Sequence, residues 1–306
     1  MERKNIRLIL GYAMSNLLGV LVEGGIKIID QYNNHMAFIF ITTTFVILPA
    51  AMGLICAWYW RDEQLRTGKK ILRILLNMLI GFILAFIFLR EGVFCLIIVT
   101  PLVFAFMFTG FLFGNFMYKK DNNTLNISVL GLLVMVCFID MISVHHFETS
   151  VTDEIIVNAP PAKVWPFVVA YPEIKEKSHY WFFNIGLPKP VGSTVTGYCQ
   201  GAGRKCIFER NMVFDEIMSV YEPGKNLTFD IIHQPSDPEI MGHINIEKGQ
   251  FILRDNGNGT TTLVGTSWYS LNVYPAVYFD VWARSITRNV HLRVMEHIKL
   301  LCEKAW

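Results

Sequence analysis

Arg288 and His291 stand three residues apart near the end of the chain, a spacing that places two side chains on one face of a helix. A guanidinium and an imidazole so placed can grip the polar head of a ligand. A histidine in reach of a substrate proton can also serve acid–base catalysis. The same two residues can equally be packed or solvated helix side chains. Arg204 lies in a segment of strand type, and a buried arginine needs an anion: a carboxylate or phosphate of a ligand, or an internal carboxylate such as Glu209 or Glu216. Tyr269, Tyr278 and Trp282, with Trp268, are large enough to fill a core or to wall a ligand. No spacing forces a catalytic pair, so no catalytic residue is assigned.

Signatures of metal and nucleotide chemistry are missing from the sequence. It has no C-x-x-C pair, H-E-x-x-H, acidic calcium loop, G-x-S-x-G elbow, P-loop or dinucleotide fingerprint. The expectation is therefore no metal and no cofactor, and the glycines of YCQGAGRKC belong to a hairpin rather than a phosphate cradle. Of the six cysteines, Cys56, Cys95 and Cys137 fall in apolar runs. Cys199 and Cys206 flank QGAGRK and either face each other as a disulfide across that hairpin or remain thiols.

The elements that must position these residues follow from patterning. VTDEIIV, ending at Asn158, has strand character, and NAPPAKVWPFVV supplies a cap and prolines suited to a helical first turn. A second short helix is expected from Tyr171-Pro172-Glu173. Strand-like segments follow at 194–199, 205–210, 212–220, 225–232, 242–254 and 260–272. They are separated by Gly201, Gly203, Pro223-Gly224 and Asn256-Gly257-Asn258-Gly259. A helix over 276–303 closes the chain, with an apolar stripe of Tyr278, Trp282, Ile286, Val290, Val294, Ile298 and Leu301. One antiparallel sheet curled around that helix satisfies this order and leaves an apolar cavity between them.

The first half of the chain answers to a different solvent. Hydrophobic residues make up 53% of the 306 residues and charged ones only 17%, below the ~25% usual in soluble domains. The net charge of +2 gives no reason to expect a nucleic-acid partner. Segments 7–29, 36–60, 71–89, 92–118 and 125–144 are each long enough to cross a bilayer, giving about five spans in a domain over 1–146. Glu23 and Lys27 interrupt the first, whose alternative reading is a cleaved signal peptide; no small-residue cleavage site precedes Glu23, so a retained helix is expected. Arg3, Lys4, Arg7, Arg61, Arg66, Lys69, Lys70, Arg73, Lys119 and Lys120 all fall on one side of these spans, while the other short loops hold only Lys27 and Arg90. Basic loops stay in the cytoplasm. The N-terminus is thus expected inside, and the domain over 147–306 outside, after the fifth span.

EIIVNAPPAKVW resembles the opening of the polyketide cyclase/dehydrase and lipid-transport superfamily, also called SRPBCC or START-like. GRKCIFERNMVFDEI, YEPGKNLTFDI, GQFIL and the stretch from GTSWYSLNVYP to the final helix are similar to a bacterial subgroup in which membrane spans precede that domain. Arg204, Cys206 and Phe208 match its R-x-C-x-F pattern, whereas Cys199 has no counterpart. The resemblance implies a helix-grip α+β domain after a multi-span helical membrane domain, in the inner membrane of a bacterium. It also implies a hydrophobic small molecule or lipid as partner, beside the bilayer itself. Binding or transfer is the expected role, with Arg204, Cys206, Phe208, Tyr269, Tyr278, Trp282, Arg288 and His291 toward the cavity. A cyclase-type enzyme and a ligand sensor or scaffold are the alternatives. Neither ligand identity nor oligomeric state follows from the sequence.

Overall fold

The computed structural model describes residues 2–32, 43–63, 66–89, 92–118, 146–235 and 244–304. They form two compact units, Met1–His145 with Val273–Pro275, and His146–Asn272 with Ala276–Trp306.

The first unit is helical: α1 (Glu2–Tyr32), α2 (Leu48–Trp60) extended backwards by a π turn at Thr43–Ile47, α3 (Thr67–Leu84) extended forwards by one at Ala85–Leu89, and α4 (Val93–Met117). Among the described residues four helices are long and apolar enough to cross a membrane, Arg3–Ile28, Thr43–Trp60, Thr67–Phe88 and Val93–Met117. The expected segment 125–144, with Asp140, and the hairpin residues Arg90 and Glu91 lie outside the described residues. Small residues let α2 and α4 meet backbone to backbone, Gly53 lying against Met107 and Gly110 against Ala50. A polar clasp ties α1 to α3: Asn16 Nδ2 donates to Asn77 Oδ1 at 2.8 Å, and Asn77 Nδ2 to Ser15 Oγ at 2.8 Å. Leucine and phenylalanine side chains such as Leu21, Leu72 and Phe116 point outward instead.

The second unit is a helix-grip fold. Its elements are β1 (Phe147–Val157), α5 (Pro161–Val169), α6 (Trp181–Asn184), β2 (Pro190–Val195), β3 (Gly203–Phe208), β4 (Val213–Glu222), β5 (Asn226–His233), β6 (Ile244–Asp255), β7 (Thr261–Leu271) and α7 (Ala276–Glu303). The strands form one seven-stranded antiparallel sheet in the order β1-β7-β6-β5-β4-β3-β2. Strand period two gives each strand an inner row, for example Val151, Asp153, Ile155 and Val157 on β1 and Leu263, Gly265, Ser267, Tyr269 and Leu271 on β7. Toward the C-terminal end of α7 this surface is a packed apolar core, with Val294, Met295, Ile298 and Cys302 among Val157, Val164, Val168, Met218, Leu227 and Leu263. Gly265 admits the helix there, since a Cβ at this position would come within 3.0 Å of Met295 Sδ.

Three expectations need correction. The second short helix occupies Trp181–Asn184 rather than the segment from Tyr171. Residues 171–174 instead run beside β2, where Ser193 N–H donates to Tyr171 O at 3.1 Å and Ile174 N–H to Val191 O at 2.6 Å. The strand expected at 194–199 sits at Pro190–Val195, because Gly197 to Gly201 form the turn into β3. On α7 the most buried row is Ala283, Thr287, His291, Val294, Ile298 and Cys302, so the expected stripe is rotated in its first half: Tyr278, Trp282, Ile286 and Val290 are only half-buried.

Candidate functional site

The rotation of α7 brings two polar side chains, Thr287 and His291, onto the face turned to the sheet. Asp153 and Ser267 oppose His291 from the inner rows of β1 and β7, where the sheet register sets Val151 beside Ser267 and Asp153 beside Gly265. Three elements distant in sequence thus converge. Ser267 Oγ is 2.7 Å from His291 Nε2, and His291 Nδ1 is 3.1 Å from Asp153 Oδ2. Arg288 Nε completes the array at 3.1 Å from Asp153 Oδ1. Asp153 and His291 are buried, Ser267 is half-buried, and Arg288 is 63% exposed, so the array runs from the interior to solvent.

The chemistry follows from donor counting. An ionised Asp153 only accepts, so it takes the N–H of His291 Nδ1 and one from Arg288. That leaves Nε2 with a lone pair to accept the Ser267 hydroxyl proton. The order of roles is that of a serine–histidine–aspartate relay. Its setting differs in one respect. Ser267 sits mid-strand, and β7 is paired on both sides, to β1 and β6, so its neighbouring backbone N–H groups are committed to the ladder rather than gathered to stabilise an oxyanion. The array suits gripping a polar group or moving a proton better than acyl transfer.

Aromatic hydroxyls flank it. Tyr180 Oη donates to Glu296 Oε1 at 2.8 Å, and burial, reinforced by the negative charges of Glu296 and Asp153, pushes its phenol well above the ordinary range. Tyr269 Oη donates to Asp280 Oδ1 at 2.7 Å and is likewise pushed up, first by burial and then by that carboxylate. Asp280 also holds Arg284 at 3.2 Å, latching the first turns of α7 to β7.

A second polar group lies on β3 and β4. Arg204 stands directly across from Glu216, and the two form a buried ion pair. Arg204 Nε donates to Val169 O at 3.1 Å, and the guanidinium covers the Phe229 ring at 4.6 Å. Burial pulls the Arg204 guanidinium down, but Glu216 and its neighbours outweigh it and the net direction is up, while burial raises the Glu216 carboxyl against the pull of Arg204. Cys206 lies beside this pair, its Sγ 3.5 Å from Tyr171 Oη, and burial pushes the thiol up to about 11. Both Cys199 and Cys206 are free thiols. The hairpin disulfide does not form because the register sets Cys206 opposite Ser193, while Cys199 lies exposed in the turn beyond the paired residues.

The residues singled out from sequence therefore separate. His291 and Arg288 join the β1–β7–α7 array, and Tyr269 lies two residues beyond Ser267 on the same row of β7, bonded to Asp280. Arg204 and Cys206 belong to the internal β3–β4 group, and Phe208 packs on Phe214 at 5.2 Å. Trp282 meets Phe182 edge-on at 6.3 Å, and Tyr278 meets Phe279 at 5.3 Å, both half-buried on the first turns of α7. Asp153, Ser267 and Tyr180 were missed. The first two carried a signal, since each interrupts the apolar side of a strand alternation. Away from the array, the ligand atoms of His146, just before β1, Glu148 on β1 and Glu247 on β6 lie within 4.8 Å of one another, all exposed. His146 there is held by Glu148 at 2.9 Å and Asn272 at 3.2 Å, as a surface ion pair.

No family model and no curated sequence matches this chain. Similar solved structures include norcoclaurine synthase from Thalictrum flavum in complex with dopamine and hydroxybenzaldehyde, at 9% identity and a TM-score of 0.37, covering 52% of this chain and 89% of that one. An aromatase/cyclase from Streptomyces sp. R1128 is similar at 13% identity and a TM-score of 0.35, covering 52% of this chain and 95% of that one. A protein from Nitrosospira multiformis is similar at 21% identity and a TM-score of 0.31, over 48% and 93% of the two chains.

Proposed function

We propose that this chain is a membrane-anchored binding protein for an apolar molecule with one polar end, a lipid or a comparable hydrophobic compound. The apolar part would lie between the inner face of the sheet and α7, and the polar end at Ser267, His291 and Arg288. One observation carries the reading: His291, buried on α7, is bonded to Ser267 on β7 and to Asp153 on β1. Burying polar groups such as Asp153 and His291 where apolar side chains would pack costs stability unless they serve a partner or each other. The half-open edge at Ser267 and Arg288 supplies a route for that partner. Anchoring beside a bilayer would keep such a domain at high effective concentration near a lipid-soluble ligand.

A second reading has its own support. His291, oriented by Asp153 and bonded to a hydroxyl, is arranged to take and return a proton, which a cyclase-type reaction on an apolar substrate requires. The two readings part in one experiment. Full-length protein purified in mild detergent is extracted, and retained small molecules are identified by mass spectrometry. Ser267→Ala and His291→Phe should lower retention by about tenfold, the loss of one or two hydrogen bonds to a buried polar group. A ligand recovered unchanged from wild type supports binding. A product recovered from wild type, with its precursor recovered from His291→Gln, supports catalysis. Wild type that retains no apolar compound excludes both.

A further inference from the structure

A cavity of about 490 Å³ opens at one end of the helical unit, where α2 and α4 finish and α3 begins. Its floor is aromatic, from Trp60, Phe111 and Tyr118, all buried. Its rim is basic, from Arg61, Arg66 and Lys70. The one carboxylate in the wall, Glu63, is already committed: Arg73 Nη2 lies 2.8 Å from it, with the Arg73 guanidinium held over the Trp60 ring at 5.4 Å. Arg61 is fixed in place by its bond to Trp58 O at 3.0 Å and by stacking over the Trp58 ring at 4.8 Å. Among the described residues no carboxylate comes within ion-pair distance of Arg66 or Lys70. An open pocket with Arg66 and Lys70 as surplus positive charge, a compensated acid and an aromatic base is built to receive an anion attached to something less polar.

We propose that this cavity binds a phosphate-bearing group, with Arg61, Arg66 and Lys70 on the phosphate and Trp60 and Tyr118 against the carbon atoms that carry it. Guanidinium groups match phosphate oxygens in pairs, and lysine adds charge without demanding geometry. The cavity lies at the end of helices long enough to span a bilayer, at the level where anionic headgroups concentrate. A glycerophospholipid headgroup and a soluble glycerol phosphate present the same chemistry. The site belongs to the helical unit alone and stands whether or not the sheet domain binds a ligand.

The test uses the full chain in phosphatidylcholine nanodiscs. Phosphatidylglycerol is titrated into the discs and retained lipid is counted by native mass spectrometry. In separate discs glycerol 3-phosphate is added and tryptophan fluorescence is followed, since Trp60 lies in the cavity floor. Two variants remove equal charge: R61Q/R66Q/K70Q in the rim, and R3Q/K4Q/K69Q on exposed residues outside it. The rim variant should lose at least about tenfold in phosphatidylglycerol retention while the control stays within about twofold. A fluorescence response to glycerol 3-phosphate that the rim variant loses, without preferential lipid retention, assigns the soluble source and upholds the site. Equal loss in both variants, or wild type that retains phosphatidylglycerol no better than phosphatidylcholine and ignores glycerol 3-phosphate, overturns it. Should the rim triple variant fail to assemble, the single changes R66E and K70E give the same comparison.

Discussion

At the residue scale, charge and burial set what each candidate can do. A buried Arg204 demands an anion, either a ligand's or an internal carboxylate, and the structure supplies it internally as Glu216. Removing one partner strands the other, so Arg204→Met alone should destabilise the sheet domain by about 3–5 kcal/mol. The double change Arg204→Met with Glu216→Leu should recover most of it, because neither charge is then left buried. Urea unfolding of the two variants, read by far-ultraviolet circular dichroism, decides this, and equal losses would mean that the pair is not the unit of stabilisation. The two hairpin cysteines separate by the same logic. Cys206 is half-buried with its thiol pushed up to about 11, whereas Cys199 is exposed in the turn. Thiolate is the reacting species. At pH 8 iodoacetamide should therefore modify Cys199 at least about tenfold faster than Cys206, followed peptide by peptide in the mass spectrometer. Recovery of a Cys199–Cys206 disulfide from unreduced protein would contradict the register that keeps them apart.

At the scale of elements, much of the sheet domain was legible because short-range chemistry fixes it. Prolines at 160 and 161, the glycine turns and the strand alternations placed β1, β3 to β7 and α7 within a few residues. Glu216 is one of the two internal partners that the sequence offers Arg204, and the register of β3 and β4 selects it. The rotation of α7 could not be read. Its first half carries apolar residues on more than one face, and which face turns inward depends on Asp153 and Ser267, which arrive from the far end of the domain. The array was illegible for that reason, although His291 and Arg288 were noticed. The segment after α5 shows the same non-local control. His297 on α7 reaches it with Nδ1 3.0 Å from Glu176 Oε2 and Nε2 3.2 Å from Pro172 O, and Arg293 Nη2 donates to Glu176 O at 3.2 Å. Burial opposes ionisation of Glu176, but its own backbone N–H, His297 and Lys304 prevail and hold the carboxyl below its ordinary 4.5. A carboxyl depressed in the folded state contributes stability above its unfolded value and forfeits it as pH falls through the folded one. Thermal unfolding midpoints should thus fall between pH 5 and lower values in wild type, with the steepest part of that fall reduced in Glu176→Gln. Identical acid limbs in the two proteins would remove Glu176 from the account. The side chain is partly exposed, so the difference should be modest and should shrink in high salt.

At the scale of the whole molecule, four long apolar helices among the described residues set the question that a topology experiment answers. If each of the four long apolar helices among the described residues crosses a membrane, the residues after α4 return to the side of the N-terminus. The basic residues agree with one another at that end. Trp60 Nε1 donates to Leu8 O at 3.4 Å, Arg7 pairs with Asp62, and Glu63 with Arg73, so the start of α1, the end of α2 and the start of α3 meet there with their arginines and lysines. Under the positive-inside rule this end would then lie in the cytoplasm. Everything beyond it turns on 125–144. If that segment crosses, the sheet domain lies outside; if it does not, the domain stays with the cytoplasmic loops. A reporter active only outside the cytoplasm, fused after Lys120 in one protein and after Trp306 in another, separates the cases. The first fusion should be inactive and the second active. Two inactive fusions would confine the sheet domain to the cytoplasm and with it any ligand delivered to Ser267 and His291. An active first fusion would invert the bundle, and the basic cavity would then face the outer leaflet, where its phosphate would have to come from a different pool.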